Sequence, residues 1–197
     1  MDERQPQLVV IAGPNGAGKS TSARVLVPEA IGLYDFVNAD DIARGISPYH
    51  SETVAFEAGR VMLQRIKQLW RERRDFAFET TLAGRTYVRI LERMRSDGYA
   101  IHLIFIALDS ADLAIERVAH RVRLEGHGIP NDVIRRRFVV GIRNFFQHYM
   151  PLVDTWSFYD NSDMGIPRLV ATGQRTRAEV VESARWQQFR AMGKCNG

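Results

Sequence analysis

Gly13-Pro14-Asn15-Gly16-Ala17-Gly18-Lys19-Ser20 follows directly on the apolar run Leu8-Val9-Val10-Ile11-Ala12, and this junction decides the fold. Its spacing, G-x-x-x-x-G-K-S, is that of a loop that cradles phosphates between a buried strand and a helix. Glycines let the backbone turn successive N–H groups inward, and the following helix presents its positive N-terminal end. A lysine at the seventh position reaches the outer phosphates of a nucleotide, and the next hydroxyl can ligate Mg²⁺. Gly13, Asn15, Gly16, Ala17, Gly18, Lys19, Ser20 and Thr21 are therefore the candidate nucleotide-binding set, with Ser20 the candidate metal ligand. The alternative, a Gly-rich turn with a chance Lys-Ser pair, does not explain why a strand pattern precedes it and a helix pattern follows.

Outward from this loop, apolar runs at Phe76 to Thr80, Ala100 to Leu108 and Pro167 to Gly173 read as strands buried on both faces. Helical periodicity fills the intervals. From Val54, the residues Ala58, Val61, Met62, Ile66, Leu69 and Trp70 keep to one stripe. Further helices are expected over Arg85 to Arg95, Ala111 to Arg123 and Asn131 to about His148, and a last one opening at Thr176-Arg-Ala-Glu179, a capping-box pattern. Alternating strands and helices imply an α/β fold, a parallel sheet with helices on both faces. Ligands of such folds bind beyond the carboxyl ends of the strands.

The 197 residues, 45% hydrophobic and 25% charged with 15 glycines, show no repeat or linker and are read as one domain, 1–197. A single cysteine, Cys195, excludes an intramolecular disulfide and a cysteine-rich zinc cluster, and fits a reducing compartment. The longest apolar run, near Leu103 to Leu108, is far short of the roughly eighteen residues of a spanning helix. The N-terminus lacks a signal pattern. The expected location is cytoplasmic, away from membranes. The five histidines contain no close helical pair, so no zinc site is expected. His127 alone, in a glycine-containing hinge, is of interest.

Ile104 to Asp109 resembles the carboxylate-ending strand of transporter ATPases, but Ser110 follows where a catalytic Glu is needed and no LSGGQ-like stretch occurs. No N-K-x-D guanine motif is present either. A small kinase remains. Such an enzyme needs a carboxylate to accept the proton of an acceptor hydroxyl and cations over the transferring phosphoryl group. Asp40, after the short run Phe36-Val37, suits the first role, and serves equally well as a helix N-cap. Glu79, Thr81 and Arg85, at the end of the Phe76 to Thr80 strand, suit a polyol or second phosphate; the other reading is a helix cap followed by a solvated arginine. Arg117, Arg121, Arg123, Arg135, Arg136, Arg137 and Arg143 surround the hinge at residues 125–128 and form an arginine-rich helical lid, roughly 117–137, in which two or three face the site while the rest coat helix surfaces. An RNA-binding patch competes with the lid, but lacks aromatics interleaved with the cations.

Taken in order, AGPNGAGKST (12–21), FVNADDIA (36–43), FETTLAGR (78–85), IERVAHRV (115–122), GHGIPNDVIRRRF (126–138) and YDNS (159–162) resemble the zeta toxin family of P-loop small-molecule kinases. That resemblance implies a P-loop kinase fold, and ATP-dependent phosphorylation of a sugar hydroxyl of UDP-N-acetylglucosamine with Mg²⁺. It also implies a partner antitoxin that blocks nucleotide binding. It makes Asp40 the general base, gives Lys19 and Ser20 to ATP and Mg²⁺, and places Glu57, Thr81 and Arg85 at the sugar nucleotide. Arg117 falls at a phosphate-stabilising arginine, Arg121, Arg123 or Arg137 at a second one, and Asn161 at the adenine-side loop. This chain is shorter than the best-known members and has Glu79-Thr80-Thr81 where several carry Glu-Gly-Thr. Other acceptors, a small molecule or an RNA end, therefore stay open, as does a nucleotide-gated binding protein without transferase activity.

Overall fold

The computed structural model describes residues 4–23, 35–125, 128–163 and 166–194. Its centre is β1 (Gln7–Ala12), in which Leu8 through Ala12 have no solvent exposure. A run apolar at every position can be stable only where both faces are covered. Accordingly β1 lies between β3 (Phe76–Thr80) and β4 (Ala100–Ala107), parallel to both. A helix over residues 19–23, α1, leaves the glycine-rich loop. The edge strand β2 (Asp35–Val37) pairs parallel with β3. β5 (Thr155–Asp160) pairs parallel with β4, giving the order β2-β3-β1-β4-β5-β6-β7.

The helices are α2 (Ala39–Ile46), α3 (Ala55–Arg71), α4 (Thr86–Ser96), α5 (Ala111–Glu125), α6 (Asn131–Asn144) and α7 (Ser183–Lys194). In α3 the expected stripe buries Ala58, Met62, Ile66 and Leu69, while Val61 is left 38% exposed at its margin. A π-helical turn, Phe145–Tyr149, extends α6 and rotates Phe145 and Tyr149 into the core. There Phe145, Phe146, Trp156, Phe158, Trp186 and Phe189 form an aromatic cluster that fastens α7 to β5. Its firmest pair is Trp156 stacked on Trp186, with centroids 5.5 Å apart and planes 7° from parallel. Offset stacking of this kind adds about 0.5–1.5 kcal/mol to the burial of the rings.

Three expectations are corrected. The sheet is parallel only from β2 to β5: β6 (Arg168–Gln174), read as another parallel strand, runs antiparallel to β5, and β7 (Arg177–Val180) antiparallel to β6. The capping-box pattern at Thr176 opens no helix. Arg175 takes a left-handed φ of 50°, which closes a two-residue hairpin in which Gln174 faces Arg177, and the last helix starts only at Ser183. Finally, β5 appears where no strand was expected, because its alternation of Thr155, Ser157 and Tyr159 with buried Trp156, Phe158 and Asp160 is that of a strand covered fully on one face.

Candidate active site

The glycine-rich loop has the shape its spacing demands. Gly13, Gly16 and Gly18 adopt φ values of 144°, 78° and 78°. A Cβ on Gly13 would lie 2.1 Å from the Ile106 carbonyl oxygen, so no side chain is admissible there. Lys19 folds back over the loop, 7% exposed, with Nζ donating to the Pro14 carbonyl at 2.9 Å and 3.5 Å from Glu79 Oε1. Burial lowers the Lys19 pKa; the carboxylates of Glu79 and Asp40 oppose that, and the Arg121 guanidinium adds to it. These four groups therefore share one electrostatic neighbourhood.

Glu79 ends β3 beside β1, and register alone carries it to the loop, since Ile11 faces Glu79 and Ala12 faces Thr80. Its Oε2 accepts from Ser20 Oγ at 2.8 Å and from Asn38 Nδ2 at 3.1 Å. Asn38 is the N-cap of α2, its Oδ1 taking the Asp40 N–H at 2.8 Å. That disposes of the capping role for Asp40: the cap is Asn38, and Asp40 stands in the first helical turn, exposed. Asp40 also supports the charge of Arg137 in α6, whose pKa burial lowers. Glu79 caps no helix either, and Arg85 occupies the N-cap position of α4 without a side-chain cap bond.

On the other side of β1, Arg117 of α5 donates from Nη1 to the Asn161 carbonyl at 2.6 Å and from Nη2 to that of Ser162 at 2.8 Å. Asn161 Nδ2 donates to the Ala17 carbonyl at 2.9 Å, against the loop itself. Thus Lys19, Ser20, Glu79, Asn38 and Asp40 gather on one flank, and Arg117 and Asn161 on the other, while the Arg121 charge is felt by Lys19 and the Asp40 charge by Arg137. As placed, Arg117 is occupied by backbone carbonyls, so the phosphate role implied by resemblance would require it to release them.

The remaining candidates are scattered. Glu57 lies exposed in the first turn of α3 and makes no hydrogen bond or ion pair among the described residues. Thr81 sits in the loop between β3 and α4, its carbonyl against Gly141 of α6. That loop is pinned by Asn144 Nδ2 on the Leu82 carbonyl and the Tyr149 hydroxyl on the Gly84 carbonyl, both at 2.7 Å. Arg85 lines two adjoining cavities of about 360 and 770 Å³ between α4 and α6, together with Arg89, Arg143 and His148. Arg123 is exposed, and Arg135 is paired with Asp112 at 2.6 Å. His127 and Gly126 of the hinge, and Cys195, lie outside the described residues. Sequence reasoning missed Asn38, Asn144 and Asp160. Only Asn38 carried a local signal, an Asn just before an acidic helical turn.

The zeta toxin family model matches residues 1–154, most of the chain. The chain belongs to the zeta toxin family. Consistent with this, the zeta toxin of the PezAT toxin–antitoxin system of Streptococcus pneumoniae aligns over 98% of this chain and 87% of its own, with a TM-score of 0.65 and 16% identity. A structure of AvrRxo1-ORF1:-ORF2 with ATP aligns over 95% of this chain at a TM-score of 0.72 and 16% identity; this chain spans 64% of that one's length. An uncharacterized protein of Haemophilus influenzae is 26% identical over 134 residues, 68% of this chain and 94% of its own. This zeta toxin family member shares the P-loop kinase fold of these structures. Among the described residues, no helix is long and apolar enough to cross a membrane.

Proposed function

We propose that this protein transfers the γ-phosphate of ATP to a hydroxyl of UDP-N-acetylglucosamine or a related nucleotide sugar. The observation that carries the reading is the placement of Asp40 and Glu79 on one flank of the P-loop, in the field of Lys19. In-line transfer needs the phosphate chain to end beside a carboxylate that takes the acceptor's proton. Asp40, exposed and held among the described residues by no partner other than the nearby cations, is free to do so. Glu79, engaged with Ser20, Asn38 and Lys19, is not.

The donor set fits Mg²⁺: the Ser20 hydroxyl and the Glu79 carboxylate are adjacent hard oxygen ligands of the kind it prefers beside phosphates. Bound there with ATP, Mg²⁺ supplies charge neutralisation of the phosphates. Lys19 exchanges the Pro14 carbonyl and Glu79 for phosphate oxygens, and Arg121 and Arg137, on a lid spanning roughly 117–137, supply cations over the transferring group. Arg85, Arg89 and Arg143 in the α4–α6 cleft, continuous with the loop that carries Thr81, favour an acceptor that itself bears phosphate. An antitoxin occluding the ATP site is the protein partner this reading implies.

The test incubates the protein with ATP, Mg²⁺ and a panel of nucleotide sugars, nucleosides and short RNAs, scored by mass spectrometry. Phosphorylated UDP-N-acetylglucosamine is expected, lost by at least a hundredfold in Asp40→Asn while ATP affinity stays within about threefold. Undiminished transfer by Asp40→Asn would remove the assigned base. Transfer to another panel member would move the acceptor assignment.

A further inference from the structure

Among the described residues, the polar side chains buried most deeply are Asn15, Lys19, Asn38, Asn144 and Asp160. The fold accounts for four of them. Lys19 lies on the Pro14 carbonyl and near Glu79, and Asn38 joins Glu79 to the start of α2. Asn144 holds the Leu82 carbonyl, and Asp160 accepts from the Ser162 N–H at 2.9 Å and from Arg185 Nε at 2.7 Å. Asn15 differs. It is 8% exposed, and its Oδ1 is buried with no hydrogen-bond partner among the described residues. A buried acceptor left without a donor destabilises the fold. Nor does the shape of the loop call for it, since position 15 is unrestricted in the G-x-x-x-x-G-K-S spacing and the positive φ values fall at Gly13, Gly16 and Gly18. A polar group that the fold neither satisfies nor needs points to a donor engaged only when the site works. Phosphate oxygens of Mg²⁺-bound ATP accept hydrogen bonds and do not supply it.

Helix α5 does. A Cβ on Gly16 would come 2.8 Å from the Ala114 carbonyl oxygen and 3.2 Å from Arg117 Cβ, so this face of α5 lies directly on the turn that holds Asn15. Arg121 follows Arg117 by one turn on the same face, about 6 Å further along the helix. Arg117 is committed to the carbonyls of Asn161, Ser162 and Asp163. Arg121 is exposed and makes no hydrogen bond or ion pair among the described residues. Its charge nevertheless reaches the loop, where it is felt by Lys19. An acceptor without a donor and a donor without an acceptor thus stand at the same end of the loop. Repulsion between Arg121 and Lys19 opposes their meeting until anionic charge lies between the two cations.

We propose that Asn15 is a positioning residue for phosphoryl transfer: its Oδ1 accepts a guanidinium N–H of Arg121 when the phosphates of ATP neutralise Lys19, and this aims the remaining N–H groups of Arg121 at the γ-phosphate. The proposal rests on the ATP site described above, and goes beyond it by singling out one arginine of the segment 117–137 and the loop residue that seats it. Lys19 makes room by leaving the carbonyl of Pro14, the neighbour of Asn15. The bond depends on the γ-phosphate, the group that places negative charge between Lys19 and Arg121.

Calorimetric titration with ADP and with the β,γ-imido analogue of ATP, each with Mg²⁺, tests this without an acceptor. Asn15→Ala and Arg121→Ala are each expected to weaken the ATP analogue about fivefold and ADP by less than about twofold, and the double variant to bind no more weakly than either single one. Without nucleotide, Asn15→Ala should unfold at a urea midpoint equal to or above that of the unmodified protein, because an unsatisfied acceptor has been removed. A carboxamide that merely supports the loop gives the opposite result, a lower midpoint or a variant that does not fold, and either would overturn the proposal. Losses that multiply in the double variant would overturn it too, by showing that Asn15 acts without Arg121. So would equal losses for the two nucleotides. Failure of the unmodified protein to bind either nucleotide would remove the ATP site and this proposal together.

Discussion

Glu79 shows how much one side chain can organise. With a side chain 8% exposed, it bonds Ser20 and Asn38 and sits 3.5 Å from the Lys19 ammonium, joining the ends of β1, β2 and β3 at one point. Its worth to stability lies in what its loss would strand: Lys19, only 7% exposed, would keep the Pro14 carbonyl and lose its nearest counter-charge. Glu79→Gln retains the size and an acceptor for Ser20 and removes only the charge. The expected cost is about 1–3 kcal/mol, read as a lower urea midpoint at unchanged slope. An unchanged midpoint would mean that Asp40 alone compensates Lys19. The residue's role was only half legible in the sequence. A carboxylate ending a buried strand marked Glu79 as a candidate, but its assignment to the acceptor rested on local neighbours, Thr80 and Thr81, whereas its bonds go to Ser20 and Asn38, 59 and 41 residues away.

At the scale of elements, α6 decides where the loop between β3 and α4 stands. Gly141 faces the Thr81 carbonyl so closely that a Cβ would fall 2.5 Å from its oxygen, and Asn144 and Tyr149 hold the next residues of the same loop. Leu82 in that loop has a φ of 53°, a left-handed conformation that costs a leucine about 1–2 kcal/mol and persists because its neighbours determine it. Gly141→Ala must displace backbone, and is expected to destabilise by about 1–3 kcal/mol in thermal or urea unfolding and to depress phosphoryl transfer more than ATP affinity. Gly59 in α3 is the contrast, since nothing lies within 4 Å of a Cβ there. Gly59→Ala should stabilise by about 0.5–1 kcal/mol through helix propensity alone. Equal effects at the two positions would refute the steric account of Gly141. Helices α3 to α6 were legible because their apolar stripes repeat over several turns. β7 was not, because four exposed residues, Arg177 to Val180, carry no burial pattern and their cap-like start competed with a hairpin decided by β6.

Over the whole molecule, the end of the sheet opposite the P-loop is stapled by His102. Its Nε2 meets Gln7 Oε1 at 2.7 Å and its Nδ1 meets Thr155 Oγ1 at 2.6 Å, so one neutral imidazole links β1, β4 and β5. Burial holds its pKa below the ordinary value, against the opposing charge of Asp154. Below pH 6.5 the unfolded chain takes up a proton that the folded chain refuses, so stability is full above 6.5 and declines as the pH falls toward the folded pKa. The melting temperature should drop between pH 7.5 and 5, and His102→Gln should flatten that slope; an equal slope in the variant would exonerate His102.

Some features of this protein follow from local sequence alone: the phosphate loop, the central strands and the family, because glycine spacing and runs of buried side chains impose their conformation without distant help. The rest was settled by folding. The meeting of Glu79 with Ser20 and the spread of Arg117 over residues 161–163 join positions 44 to 59 residues apart in the chain, and the antiparallel turn of the sheet at β6 sets Asp160 against Arg168 and Trp156 against Gly173. Each depends on which strands become neighbours, and strand order is set by packing both faces of a seven-stranded sheet at once, an outcome that no short stretch of chain encodes.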